Sequence, residues 1–279
     1  MNAQKKSIIY NILPFMALGL LTISFVPQAW ATFIAPKRVI IEDKQRTAAI
    51  TLHNGSDKTL AYRFSWEHRA QTTDGKSVLL KEGETMPGYS PVESMIQFSP
   101  RQVILKPQQN QKVRILVKRP ADLPDGEYRS HLLIKTEALD KPENDATGQQ
   151  GLTGVLKINT SASIPVMLRQ GKTTLNVKIR DAALITKGNR QYLQYSLENN
   201  STRTVFAVPE LDCIGAPPDT KPIMLNTARI YAESKTANLE PPIPLGVSLA
   251  PCSALKLRLV ALNDFEYKRQ TIAEIPVRK

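Results

Sequence analysis

Gln111-Lys112-Val113-Arg114-Ile115-Leu116-Val117-Lys118 sets Val113, Ile115 and Val117 between Lys112, Arg114 and Lys118. A period of two sends successive side chains to opposite faces, so this stretch reads as a strand with one face buried. The same alternation recurs on both sides of it. Upstream, Ala48, Ile50 and Leu52 alternate with polar residues until Asn54-Gly55 supplies a turn, and Tyr62, Phe64 and Trp66 form the next set. Downstream, Leu123-Pro124-Asp125-Gly126 reads as a turn before a strand from about Tyr128 to Thr136, and Leu156, Ile158, Thr160, Ala162 and Ile164 share one phase of a longer strand. A second series begins near Thr173, with Leu175, Val177 and Ile179, then Leu193, Tyr195 and Leu197, then Leu255, Leu257 and Leu259, and last Thr271 to Val277.

Many short strands separated by turn residues, with almost no helical period, is the pattern of an all-β sandwich repeated in two halves. Arg169-Gln170-Gly171-Lys172 falls between the two series and is the expected hinge. The expectation is two immunoglobulin-like β-sandwich domains, 32–169 and 172–279. The polar stretch from Glu137 to Gly151 has no apolar periodicity and reads as a mobile loop just before the longest strand.

The chain of 279 residues opens with Lys5 and Lys6, an apolar run from about Ile8 to Val26, and Ala29-Trp30-Ala31. That is the pattern of a cleaved secretory leader, residues 1–31, with an uncleaved membrane anchor as the alternative, and it predicts export with no membrane insertion of the mature chain. Removing it takes only two charges from the formal net charge of +12. Lys and Arg are scattered through strands rather than clustered, which argues for an acidic protein partner or simple solubility and against nucleic acid. The two cysteines, Cys213 and Cys252, would form one disulfide in an oxidising compartment. On a chain-entropy estimate that bond stabilises the second domain by about 4 kcal/mol. Cysteines so far apart with no nearby histidine do not make a metal site. His53, His68 and His131 sit on expected strands or strand ends as ordinary surface or satisfied residues. There is no G-x-S-x-G, P-loop or H-E-x-x-H motif, so the sequence supports neither an enzyme nor a cofactor.

Three stretches resemble the PapD-like periplasmic chaperones of chaperone–usher pili. Ala35-Pro36-Lys37-Arg38-Val39-Ile40-Ile41 is similar to the family's first strand, with an arginine before apolar residues. Phe98-Ser99-Pro100-Arg101-Gln102-Val103-Ile104-Leu105-Lys106-Pro107, continuing into Gln111-Lys112-Val113-Arg114, resembles its "L-x-P" and "Q-x-V-R" stretch. Ile164-Pro165-Val166 with Arg169 resembles the end of the long last strand of its first domain. Two departures mark a divergent branch: Gln108 stands where the family has glycine after the proline, and Ser163 stands where many members carry a lysine.

The resemblance implies two sandwiches in an L-shaped or boomerang arrangement that hold an unfinished pilus or fimbrial subunit by lending it a strand, then deliver it to an outer-membrane usher. It implies that Arg38 grips the subunit's terminal carboxylate. With Ser163 in place of the lysine, Arg129 is the candidate second cation, against the alternative of an ordinary solvated strand arginine. Leu152, Leu156 and Ile158 share a strand phase after the polar loop, with Gly154 between, and are the candidate donor-strand residues. Packing into their own core is the alternative for each. The rival reading of the whole chain is a structural or adhesive protein of two β-sandwiches.

Overall fold

The computed structural model describes residues 33–139, 160–262 and 269–279. The expected leader, residues 1–31, and the expected donor residues Leu152, Leu156 and Ile158 lie outside these residues. The first half holds β1 (Phe33–Ala35), β2 (Val39–Ile41), β3 (Thr47–His53), β4 (Leu60–Glu67), β5 (Arg69–Gln71), β6 (Ser77–Leu79), β7 (Ile96–Ser99), β8 (Gln102–Leu105), β9 (Asn110–Val117), β10 (Gly126–Ala138) and β11 (Thr160–Gln170). The second holds β12 (Val177–Lys187), β13 (Arg190–Asn199), β14 (Val205–Ile214), β15 (Ile223–Met224), β16 (Ala228–Ile230), β17 (Thr236–Leu239), β18 (Ala254–Leu262) and β19 (Arg269–Val277).

The first sandwich packs a sheet of order β1-β3-β9-β7 on one of order β2-β11-β10-β4-β8. Two of the crossings from one sheet to the other, between β1 and β2 at Pro36 and between β7 and β8 at Pro100, are made at prolines that follow cis peptide bonds. The alternating residues point where their period requires: Ile50, Leu52, Tyr62, Val113, Ile115, Leu132 and Ile134 are almost wholly buried in one core. Leu116 breaks the alternation of its strand and is accordingly exposed.

The second sandwich pairs β12-β13-β17 with β15-β14-β18-β19, and β16 adds to β14. Leu193, Tyr195, Leu197, Leu255, Leu257 and Leu259 fill its core. Cys213 and Cys252 are disulfide-bonded with Cα atoms 4.9 Å apart, and Cys252 lies inside that core. Both sandwiches belong to one compact unit, Ala31–Lys279.

Of the four residues read as the hinge, Arg169 and Gln170 belong to β11. Gly171 turns the chain at φ +59, and a Cβ there would collide with the Asp125 carboxylate. Asp125 accepts from Lys172 N at 3.0 Å, and Asp43 from Gly171 N at 3.1 Å. Only a glycine fits between those two carboxylates in this left-handed conformation. Gln108 also has positive φ, +62, and its N donates to Asn54 O at 2.7 Å. The backbone there takes the form glycine favours, at a cost of about 1–2 kcal/mol for a residue with a side chain.

Candidate functional site

The site is one face of the β2-β11-β10-β4 sheet. The register sets Ile40 beside Met167, Pro165 beside His131 and Glu67, and Ser163 beside Leu133 and Ser65. Residues directly opposite one another share a face, so these side chains, with Glu127 and Arg129 further along β10, all point the same way, out of the first core. Part of that face is covered by the second sandwich and part is not.

In the covered part, Ile40, Met167, Phe206 and Tyr231 form a small apolar cluster. Around it runs a buried polar seam. Arg129, 2% exposed, donates through Nη2 to the Glu233 carboxylate and through Nη1 to the carbonyl of Arg69 at 2.9 Å. Its guanidinium carbon stands 3.4 Å from the ring centroid of Tyr231 and 5.1 Å from that of Tyr89. His131 Nδ1 faces Arg129 Nη1 at 3.4 Å and Nε2 lies 3.1 Å from the Tyr231 hydroxyl. A guanidinium can only donate, so Nδ1 is the accepting nitrogen and Nε2 carries the proton. Burial, then the charges of Arg129, Arg229, Arg69 and His68, lower the pKa of His131 to about 3. Burial also pushes the Glu233 carboxyl upward against the opposing pull of Arg129.

Two further links close the seam. Glu127 accepts from Arg169 Nε at 3.1 Å and from Thr204 N at 3.0 Å, while Arg169 Nη1 reaches Glu42 at 2.8 Å. The β5–β6 hairpin is strapped to the second sandwich: Gln71 donates to Arg229 O at 2.6 Å and accepts from Tyr231 N at 2.9 Å, and Asn238 N donates to Thr73 O at 2.6 Å.

These contacts correct the sequence reading of Arg129. It is neither a solvated strand arginine nor a cation presented to an incoming carboxylate, because Glu233 and the Arg69 carbonyl already engage its donors in a buried site. Ser163 supplies no cation either. Its hydroxyl donates to Glu67, which also receives Arg69 Nε at 2.5 Å. Arg38 stands differently. It is half-buried at the start of β2, next to the Val39–Val166 pair, with its guanidinium carbon 4.3 Å from the Phe206 ring centroid. It lines a cavity of about 530 Å³ with Pro36, Lys37 and Gln45. The sequence reading missed Glu233, Tyr231, Gln71 and Glu127. A signal was available for the last: Glu127, Arg129 and His131 place three polar groups on one face of a strand whose Leu132 and Ile134 belong to the core.

Beside the seam the face is open. β11 pairs with β10 along its whole length, but on its other side β2 pairs only with Val166, Met167 and Leu168. Thr160–Pro165 therefore have no partner strand on that edge among the described residues, and Thr160, Ser161 and Ser163 are exposed. This edge ends beside Arg38. Among the described residues no group of three or more His, Cys, Asp and Glu side chains could hold a metal ion, and no helix is long and apolar enough to cross a membrane.

No protein-family model matches the chain, and no curated protein matches it in sequence. Several solved structures are similar at low identity. The structure of the YadV chaperone aligns at 14% identity and TM-score 0.47, over 88% of this chain and 98% of that one. The Pseudomonas aeruginosa CupB2 chaperone aligns at 14% identity and TM-score 0.48, over 88% of this chain and 100% of that one. The Salmonella enterica SafA pilin in complex with the SafB chaperone gives 17% identity and TM-score 0.45, over 88% and 96%. At such identities and TM-scores the likeness carries no functional argument, and the reading of the site rests on this chain's own residues.

Proposed function

We propose that this protein is a periplasmic chaperone that holds an incomplete pilus subunit by lending it a strand and passes it to an outer-membrane usher. The observation that carries the reading is a strand edge, Thr160–Pro165, that lacks a partner strand among the described residues and ends at a half-buried arginine, Arg38. An unfinished sandwich exposes an apolar groove and an unpaired edge of its own, which makes it prone to aggregate. A strand pairing along β11 satisfies that edge, and its terminal carboxylate would then lie at Arg38, where a guanidinium can hold it through two charge-assisted hydrogen bonds. The donor residues of this reading are Leu152, Leu156 and Ile158, which would continue the edge of β11 upstream. The resemblance of residues 35–41 and 98–114 supports the same reading from the sequence side. No turnover and no cofactor are required.

The test is capture of a small β-rich protein from periplasm by the full chain. Losing a charged hydrogen bond costs about 1.5–3 kcal/mol, so Arg38→Ala should weaken capture by about tenfold or more. Leu156→Asp or Ile158→Asp should abolish it by burying a charge in the subunit, while the free variant keeps its melting temperature. If the free Asp variants unfold, those residues belong to the chaperone's own core and the donor assignment falls. Undiminished capture by Arg38→Ala would remove the carboxylate anchor.

A further inference from the structure

The other end of the same sheet carries a second groove. β8 pairs with β4 only over Leu60–Arg63, and the bond from Phe64 N to Arg101 O, 3.0 Å, is the next rung. Beyond it Ser65–Glu67 have no partner strand on that side among the described residues. Across the gap stands β7, the last strand of the opposing sheet, paired only with β9. The crossing at Pro100 thus leaves two strand edges, one from each sheet, flanking a groove of about 860 Å³.

The groove has an apolar middle and two unlike ends. Phe98 meets Trp66 edge-on with centroids 5.5 Å apart, and Phe64 at 6.2 Å. Leu116, 44% exposed, adds to the rim. At the end of β7, Arg114 lies in register with Ser99, and Arg101 follows two residues on; both are exposed, and neither has an acidic partner among the described residues. At the start of β7, Glu93 faces His68 at 3.3 Å.

We propose that this groove docks an extended acidic–apolar segment of a second protein partner. Its main chain adds to the edge of β7, an apolar side chain lies on Trp66 and Phe98, and its carboxylates pair with Arg101 and Arg114. The two guanidinia, on a chain of net charge +12, are what select an acidic occupant over other extended segments. β10 and β4 separate this groove from the Thr160–Pro165 edge, so the two sites can be filled together. The inference stands whether or not the protein carries pilus subunits.

The chain has two tryptophans, so Trp30→Phe in the full protein leaves Trp66 as its one indole reporter. The probe is a short synthetic peptide alternating Phe and Thr and ending in two Asp, compared with the same peptide ending in two Lys. A saturable shift of Trp66 emission is expected with the Asp peptide, at least about tenfold weaker binding of the Lys peptide, and a similar loss for Arg101→Gln with Arg114→Gln. Added salt should weaken the Asp peptide alone. No saturable shift, equal binding of both peptides, or an unchanged affinity in the double variant would each overturn the proposal. A concentration-dependent dimer in sedimentation without peptide, lost in the double variant, would identify the occupant as a second copy of the chain and overturn it as well.

Discussion

Arg129 and Arg38 lie on the same sheet face, both against aromatic rings of the second sandwich, and they differ in burial. Arg129 is 2% exposed, paired with Glu233, stacked on Tyr231 and bonded to a carbonyl. Arg38 is half-buried on Phe206 at the end of a strand edge. A charge removed from water must find a fixed counter-charge inside the protein, and once it has one it cannot be exchanged for a partner from outside. A cation that stays in contact with water loses less hydration. Burial, not residue type, separates the two arginines: one is buried in a joint between the sandwiches, and the other keeps contact with solvent.

The largest expected effect tests the joint. Glu233→Ala leaves Arg129 charged and buried without its carboxylate, which should cost about 3–5 kcal/mol in urea unfolding. The paired replacement Arg129→Met with Glu233→Leu should recover most of that loss, because it removes both charges and keeps the volume. If Arg38→Ala destabilised the protein as much as Glu233→Ala, the contrast between the two arginines would collapse.

The next effect comes from His131, which the joint keeps neutral. Its pKa is about 3 in the fold against an ordinary 6.5. Between those values the unfolded chain holds a proton that the folded chain lacks, so stability falls as pH falls through that window. The slope is about 1.4 kcal/mol per pH unit, or about 2 kcal/mol from about pH 6.5 to about pH 5. His131→Gln should flatten this part of the profile in denaturant titrations at each pH. A profile unchanged by the substitution would mean that Arg129, Arg69, Arg229, His68 and Tyr231 do not hold the imidazole neutral.

The smallest effect belongs to Arg38. A cation over an aromatic face at a partly exposed site contributes about 0.5–1 kcal/mol, so Arg38→Ala should shift the urea midpoint only slightly while capture falls. Phe206→Leu should cost more, because Phe206 is itself buried against Ile40, Met167 and Tyr231. A large loss of stability in Arg38→Ala would make it a second joint.

The sequence disclosed the strands because their apolar period is local. Val113, Ile115 and Val117, or Leu193, Tyr195 and Leu197, need only their neighbours to be recognised. The disulfide was legible too, since a chain with two cysteines has one possible intramolecular pairing. The seam was not. Arg129 and Glu233 are 104 positions apart, and Gln71 and Tyr231 160, so no window of sequence contains both partners. A polar stripe on β10 reads equally as a wet surface or a buried joint until its covering element is known. The exposed arginines at the Phe98–Trp66 groove sit within strand-like stretches of sequence that give no sign of facing a gap, because that gap is made by two strands that end early.

The seam also limits how such a protein can be recombined. Its contacts are specific pairs, Arg129 with Glu233, Glu127 with Thr204 and Gln71 with Tyr231, each with one member in either sandwich. Exchanging the second sandwich for one from a distant homologue would leave several buried polar groups facing strangers, although each half kept its own core. The two halves therefore form a matched set, and a viable chimera needs its crossover to carry residues 127–131 and 71 along with 204 and 231–233.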